Sequence, residues 1–215
     1  IAEIRQASHD QVDEAVFAAR AAFGSSGWGD PALRRKTLRN LADLLEARKD
    51  EFSGTLISEL GTPVSLIGPL QIGIPLSLLR YYADLAMQDT TRALGPDGNA
   101  AMPSESIVRY APVGVVAAIA AYNYPLLIMA LKIAPALAAG CTVVVLPSLQ
   151  APLATLQFAR LLKDAGVPKG VVNIIAGDAE VGRHLTQHPG VDKVSFTGSI
   201  GVGRSIMQQA ATGIK

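Results

Sequence analysis

The chain has 215 residues, with 19 Lys plus Arg against 18 Asp plus Glu and a formal net charge of +1. That length holds one large domain, or one domain with an appended arm. So small a net charge supplies no field that would draw the chain to nucleic acid or to an anionic membrane, so any selectivity comes from a local site.

Apolar residues make up 49% of the chain and the mean hydropathy is +0.30. Two uncharged runs, 110–131 and, but for Lys132, its continuation 133–159, reach the ~20 residues a bilayer requires. Pro112, Gly114, Asn123 and Pro125 punctuate the first, and Gly140, Pro147, Gln150 and Pro152 the second, which argues against spanning helices. The single cysteine, Cys141, excludes an internal disulfide framework and fits a reducing cytosol, so a cytoplasmic protein is expected. With one Cys and scattered His9, His184 and His188, no metal site is expected. The first residues do not read as a signal peptide, and the absence of an initiating Met suggests a trimmed or incompletely represented chain.

In chain order, Ser8 is a candidate N-cap for a helix that carries Val12, Ala15, Val16 and Ala19 on one face and ends near Gly24. A loop follows over 24–30. Asp30-Pro31 is a cap followed by proline at the first helical position. Leu33, Leu38, Leu41, Leu44 and Leu45 then give the apolar face of a long helix, and Phe52, Leu56, Ile57 and Leu60 continue the helical pattern to a stop at Gly61. Another helix is expected from Pro69 or Pro75 to Met87. Residues 89–111 are polar and rich in turn formers, and Ser106-Ile107-Val108-Arg109-Tyr110 alternates as an exposed strand does.

From Val113 onward, apolar β runs alternate with helical segments. Strands are expected at 113–120, 142–146, 171–176 and 193–196, with helices at 126–139, 152–165, 180–187 and 201–211. Four consecutive βα units imply an α/β fold with an open parallel sheet of Rossmann-like units, preceded by a helical N-terminal segment and a β arm. The expected divisions are a helical part over 1–88, an arm over 89–112 and a cofactor-binding sheet over 113–215.

Ligands of open α/β sheets bind beyond the carboxyl ends of the strands. Those ends read Tyr122-Asn123-Tyr124-Pro125, Pro147-Ser148-Leu149, Gly177-Asp178 and Thr197-Gly198-Ser199. The last leads straight into a helix through Gly201-Val202-Gly203, a setting that suits a phosphate, although an ordinary strand-to-helix turn has the same spelling. Neither the G-x-G-x-x-G fingerprint nor a P-loop occurs.

The motifs Arg109-Tyr110-Ala111-Pro112-Val113-Gly114-Val115-Val116, Tyr122-Asn123-Tyr124-Pro125, Lys132-Ile133-Ala134-Pro135-Ala136-Leu137-Ala138-Ala139-Gly140, Gly166-Val167-Pro168-Lys169-Gly170-Val171-Val172-Asn173 and Val194-Ser195-Phe196-Thr197-Gly198-Ser199 occur in order. Together they resemble the N-terminal part of the aldehyde dehydrogenase superfamily, from about Val12 to the end. The resemblance implies oxidation of an aldehyde to a carboxylic acid through a cysteine thioester, with NAD as cofactor or NADP in its place. It gives Asn123 the role of an oxyanion donor and Lys132 a part in proton relay. For Asn123 an Asx-turn before Pro125 is the alternative. For Lys132 it is a stem packed on the core with its head in solvent.

By the same resemblance, Ile119, Ala120, Tyr122, Leu146, Ser148, Leu149, Gly177, Gly182, Phe196, Thr197, Gly198, Ser199, Val202 and Gly203 line the cofactor site. Two of them depart from the family pattern. Leu146 and Leu149 stand where a Lys and a Glu usually reach the adenosine ribose. The family's thiol and general base fall beyond a point equivalent to Lys215, so the chain alone is expected to be inactive. Cys141 is no substitute, for it precedes a buried strand as a packing residue. A non-catalytic nucleotide-binding or assembly module is the other reading. The arm resembles the family's bridge between subunits, which implies a homodimer or homotetramer.

Overall fold

The structure, a computed structural model, describes residues 2–25, 27–97, 104–213 and 215. Helix α1 (His9–Ser25) opens on a reciprocal cap: Gln11 N donates to Ser8 Oγ, and Ser8 N donates to Gln11 Oε1 at 3.0 Å, which satisfies two otherwise orphaned donors. In α2 (Pro31–Ala47) the cap is Asp30, whose Oδ1 accepts from Ala32 N at 2.9 Å. The helical pattern to Gly61 is divided at Arg48, where α2 ends and α3 (Lys49–Leu60) begins. That break returns Phe52 and Leu56 to the core that holds Leu38, Leu41 and Leu45.

The next helix starts earlier than expected. A first turn, α4 (Val64–Leu66), runs into a π-helical segment over Ile67–Gly73 and then into α5 (Ile74–Leu85). Prolines at 69 and 75 read as helix starts because each lacks an N–H for the α ladder. Here the ladder shifts to the wider π register and carries on through them. By length and composition alone Val64–Leu85 is apolar enough to cross a membrane, but the same is true of a core helix, and this one packs on α2 and α6.

Strands β1 (Arg92–Asp97) and β2 (Ser104–Val108) form an antiparallel ribbon, paired in register from Arg92 opposite Val108. Residues 98–103, which belong to the expected arm, lie outside the described residues, as does Ser26 of the first loop.

Four parallel strands follow, β3 (Val115–Ile119), β4 (Thr142–Leu146), β5 (Val172–Ile174) and β6 (Lys193–Phe196), in the spatial order β5-β4-β3-β6. Helices α6 (Pro125–Ala138), α7 (Leu153–Asp164) and α8 (Ala179–Gln187) connect them, and α9 (Ile200–Ala211) leaves the last. Every residue of β4 is buried, as an unbroken apolar run between two helical layers requires. Val116, Ala118, Val143 and Val145 face a core built with α2, α3, α5, α6 and α7. Val115, Ala117, Val144 and Leu146 face the second core, with Val12 and Val16 of α1 and Val181 and Leu185 of α8. The chain is therefore an α/β protein with an open parallel sheet, an N-terminal helical segment and a β ribbon. The expected start of β3 at Val113 is two residues early, because Gly114 sits at φ 122 and interrupts the extended chain.

The histidines are not scattered. His9 stacks on His184 with ring centroids 4.3 Å apart, and Asp13 Oδ1 lies 2.6 Å from His184 Nε2 and 3.4 Å from His188 Nε2. Among the described residues no group of His, Cys, Asp or Glu is arranged to hold a metal ion.

One carboxylate ties the starts of β3 and β6 to α1. Asp192 Oδ2 accepts from Val115 N at 2.6 Å and from Arg20 Nη2 at 2.5 Å, while the same Arg20 nitrogen donates to Gly190 O at 2.8 Å. The carboxylate lies so close to Gly114 that an added Cβ would fall inside its van der Waals surface. Gly114→Ala meets both this overlap and a backbone conformation hostile to L residues, so it is expected to destabilise the chain by about 1–3 kcal/mol. Urea unfolding of the variant is the check, and a midpoint unchanged from the parent would disprove the reading.

Candidate cofactor-binding and catalytic site

The strand order adds what sequence alone lacks, a place where the winding reverses. From β3 the chain moves outward through β4 to β5, then returns across the sheet to β6 on the other side of β3. The crevice at the carboxyl ends of β3 and β6 is thus the topological switch point, where open α/β sheets bind ligands. Ile119 pairs with Phe196 on one side and Leu146 on the other, and Thr197 N continues the ladder to Ile119 O at 3.1 Å. Two segments face each other across the crevice, 120–124 before α6 and 197–199 before α9.

In the first segment Ala120 is buried by its neighbours, Ile119 is half-buried, and Tyr122 and Asn123 are exposed. Tyr124 caps α6 without a side-chain hydrogen bond, and among the described residues Asn123 has no hydrogen-bond partner. The Asx-turn alternative for Asn123 does not form. Its amide is left with free donors at the rim of the crevice.

Lys132 projects from α6 beneath the same crevice. It is 8% exposed, and its Nζ donates to Thr197 Oγ1 at 2.8 Å and to Ser195 Oγ at 3.3 Å. The head is thus held by two hydroxyls of the 195–197 segment. Burial alone pushes its ammonium below the usual lysine range, with no carboxylate to oppose the shift. Ser195, not singled out in the sequence, is thereby part of this hydrogen-bonded set.

In the second segment Thr197, Gly198, Ser199 and Val202 are all exposed. Ser199 Oγ accepts from Val202 N at 3.4 Å, so its hydroxyl caps α9 as an ordinary strand-to-helix turn demands. The Phe196 ring folds back under the turn, so close to Gly198 that no Cβ fits there, and its Cε1 lies 3.5 Å from where a Cβ on Gly203 would stand. The turn is a shelf of small residues over an aromatic floor at a helix N-terminus, a geometry that accepts a phosphate at close approach.

Farther along the edge the polar character ends. Leu146 is 4% exposed and packs into the core with Val181 and Leu185, and Gly182 stands against its Cδ2. Leu146, expected at the cofactor site, has its side chain committed to the interior. Ser148 is half-buried and its Oγ accepts from Gln150 N at 3.3 Å, while Leu149 is exposed. Gly177 is buried against Val181 at the start of α8.

Residues 1–215 match the model of the aldehyde dehydrogenase family over their whole length. The chain belongs to this family. It is 40% identical over 213 residues to geranial dehydrogenase of Castellaniella defragrans, covering 98% of this chain and 44% of that protein. It is 38% identical over 225 residues to 2-hydroxymuconic semialdehyde dehydrogenase of a Pseudomonas species, covering 100% of this chain and 45% of that protein. Among solved structures, the NAD+ complex of an aldehyde dehydrogenase from Bacillus cereus superposes with a TM-score of 0.93 at 36% identity, covering 98% of this chain and 43% of the other. The chain thus spans less than half the length of these relatives.

A separate apolar cavity lies on the α6 side of the sheet, lined by Val113, Val116, Leu131, Pro135 and Cys141, with Lys132, Lys193 and Ser195 at its wall. It opens toward the amino ends of β3 and β6, opposite the crevice, and so lies away from the edge where this class of sheet binds nucleotides. Cys141 is 3% exposed, and its carbonyl accepts from Trp28 Nε1 at 3.0 Å. This agrees with a packing role for that residue.

Because Lys132 is a buried cation without a carboxylate among the described residues, it is expected to lower stability at neutral pH. Its folded-state pKa lies below the 10.5 of the free side chain. In that interval the unfolded chain holds the proton more tightly, so stability rises with pH up to about 10.5. Lys132→Met is expected to be at least as stable as the parent at pH 7, by about 1 kcal/mol or more, and to lose the rise at alkaline pH. Urea titrations at pH 7 and pH 9.5 read both effects. A variant markedly less stable at pH 7 would make Lys132 a structural residue.

Proposed function

We propose that this chain is the cofactor-binding part of an NAD(P)-dependent aldehyde dehydrogenase, which oxidises an aldehyde to a carboxylic acid through a cysteine thioester. The observation that carries the reading is the pairing, at one switch point, of an exposed unengaged amide on Asn123 with a small-residue shelf at the N-terminus of α9. Family membership supplies the reaction class, and the Bacillus cereus relative in its NAD+ complex supports a nicotinamide dinucleotide as cofactor.

In this reading the shelf of Thr197, Gly198 and Ser199 takes the pyrophosphate, through backbone N–H groups and the positive end of α9. The dinucleotide, when bound, supplies the hydride acceptor. Asn123 directs its amide N–H at the oxygen that becomes negative when a thiolate attacks the aldehyde carbonyl. Lys132, held under Thr197, keeps a proton within reach of the crevice, and burial lowers its affinity for that proton, which eases its release. The thiol and the general base come from the remainder of a longer protein.

The complete protein is expected to reduce NAD+ or NADP+ in the presence of an aldehyde, monitored by nicotinamide absorbance across a panel of aliphatic and aromatic substrates. Asn123→Ala should lower kcat about 10²- to 10³-fold, the usual loss for one oxyanion donor. Absence of turnover with every aldehyde and both cofactors would remove this reading in favour of a non-catalytic nucleotide-binding or assembly module.

The β1–β2 ribbon supports a homo-oligomer, dimeric or tetrameric. Among the described residues its strands pair only with each other, and Leu94 and Ile107 are 51% and 57% exposed. A lone two-stranded ribbon is marginal in water, and a second copy laid on it would cover those side chains. Analytical ultracentrifugation of the complete protein should show a dimer or tetramer, and Ile107→Glu should shift it toward monomer. A parent protein that is monomeric at micromolar concentration would rule the assembly out. The proposal includes a cytoplasmic enzyme acting on a soluble aldehyde without a nucleic-acid or membrane partner, a reading that the near-neutral charge and the single buried cysteine support.

A further inference from the structure

The carboxyl end of β4 lies beside that of β3 in the direction away from the switch point. In doubly wound sheets this is where the adenosine half of a dinucleotide rests. An acidic side chain there holds the ribose hydroxyls and repels a 2′-phosphate, and a nearby cation accepts the phosphate instead. The turn after β4 offers neither. Residues 146–152 read Leu-Pro-Ser-Leu-Gln-Ala-Pro, without a charge.

The carboxylates that reach the neighbouring turns are already engaged. Glu59 accepts from Leu153 N at 2.6 Å and from Ala154 N at the start of α7. Asp178 Oδ1 accepts from Glu180 N at 2.9 Å and from Val181 N at the start of α8. Ser148 Oγ accepts from Gln150 N at 3.3 Å and carries no charge. Leu146 faces inward against α8, so nothing polar replaces it without opening the core. Leu149, 37% exposed, and the uncharged Gln150 are the side chains that remain at the surface of this corner.

Building on the dinucleotide reading above, we propose that the uncharged turn after β4, with Leu149 at its surface, makes this an adenosine-ribose site indifferent to the 2′ substituent, so that NAD+ and NADP+ bind with comparable affinity. The cofactor is then held mainly at the pyrophosphate shelf. A neutral corner withholds the hydrogen bonds that favour a free 2′-hydroxyl and the repulsion that excludes a 2′-phosphate. It also withholds the cation that would reward the phosphate. Discrimination of either sign therefore disappears together.

The test is isothermal titration of the complete protein with NAD+ and with NADP+, which reads binding without turnover. The parent is expected to bind the two within about threefold of each other. Leu149→Glu, at an exposed position that leaves the core intact, should shift the affinity ratio toward NAD+ by about tenfold or more, the scale of one charged hydrogen bond gained and one repulsion imposed. Leu149→Ala, which adds no charge, should keep the parental ratio. A parental preference above about tenfold for either cofactor, or a ratio in Leu149→Glu equal to that of the parent, would overturn the inference while leaving the dinucleotide reading standing. Binding of neither cofactor would overturn both.

Discussion

Much of this structure depends on the Asp192 carboxylate at the base of β6. By accepting from Val115 N and from Arg20, it fixes where β3 begins, where β6 begins and how α1 lies across both. In a parallel pair the register set at one end is carried to the other, so Val116 opposite Lys193 becomes Ile119 opposite Phe196. The crevice between Asn123 and Gly198 inherits its geometry from that distant anchor. The Arg20 and Asp192 side chains are 41% and 32% exposed, which makes the net energy of the ion pair small. Its effect is positional, and the glycine at 114 is the condition for it.

Local chemistry was legible in the sequence, and long-range geometry was not. The bounds of β4 and β6 and the caps at Ser8 and Asp30 could be read because an unbroken apolar run or a hydroxyl beside a helix start acts on its own neighbours. The π-helical segment escaped because Pro69 and Pro75 carry the same signal whether a helix starts or changes register. Strand order is set by packing of whole βα units, so the residues at the strand ends were identifiable while their grouping around one crevice was not. The partners of Lys132 lie 63 and 65 residues away, and His184 meets Asp13 across 171, beyond any periodicity.

Lys132 and Leu146 stand in opposite relations to local expectation along the same sheet edge. A lysine in an apolar helix keeps its charge in the interior with two hydroxyls for company, against the desolvation that burial imposes. Such a placement conflicts with stability alone and is typical of groups kept for chemistry. Leu146 satisfies every local rule, since it extends an apolar strand and fills the space between β4 and α8. Its burial contributes about 1.5–3 kcal/mol to the fold.

That contrast separates the two halves of the proposed cofactor site. Around Asn123, Lys132 and Thr197 the polar groups converge on the crevice, and none is absorbed by a neighbouring carboxylate. Around Leu146 and Leu149 the carboxylates of Glu59 and Asp178 are engaged at helix starts, and the surface left for a ligand carries no charge. Backbone N–H groups at a helix N-terminus hold a phosphate whatever side chains surround it, so the pyrophosphate end does not depend on the ribose end. A site built this way keeps its grip on the part of the cofactor common to both nicotinamide dinucleotides and gives up the part that distinguishes them.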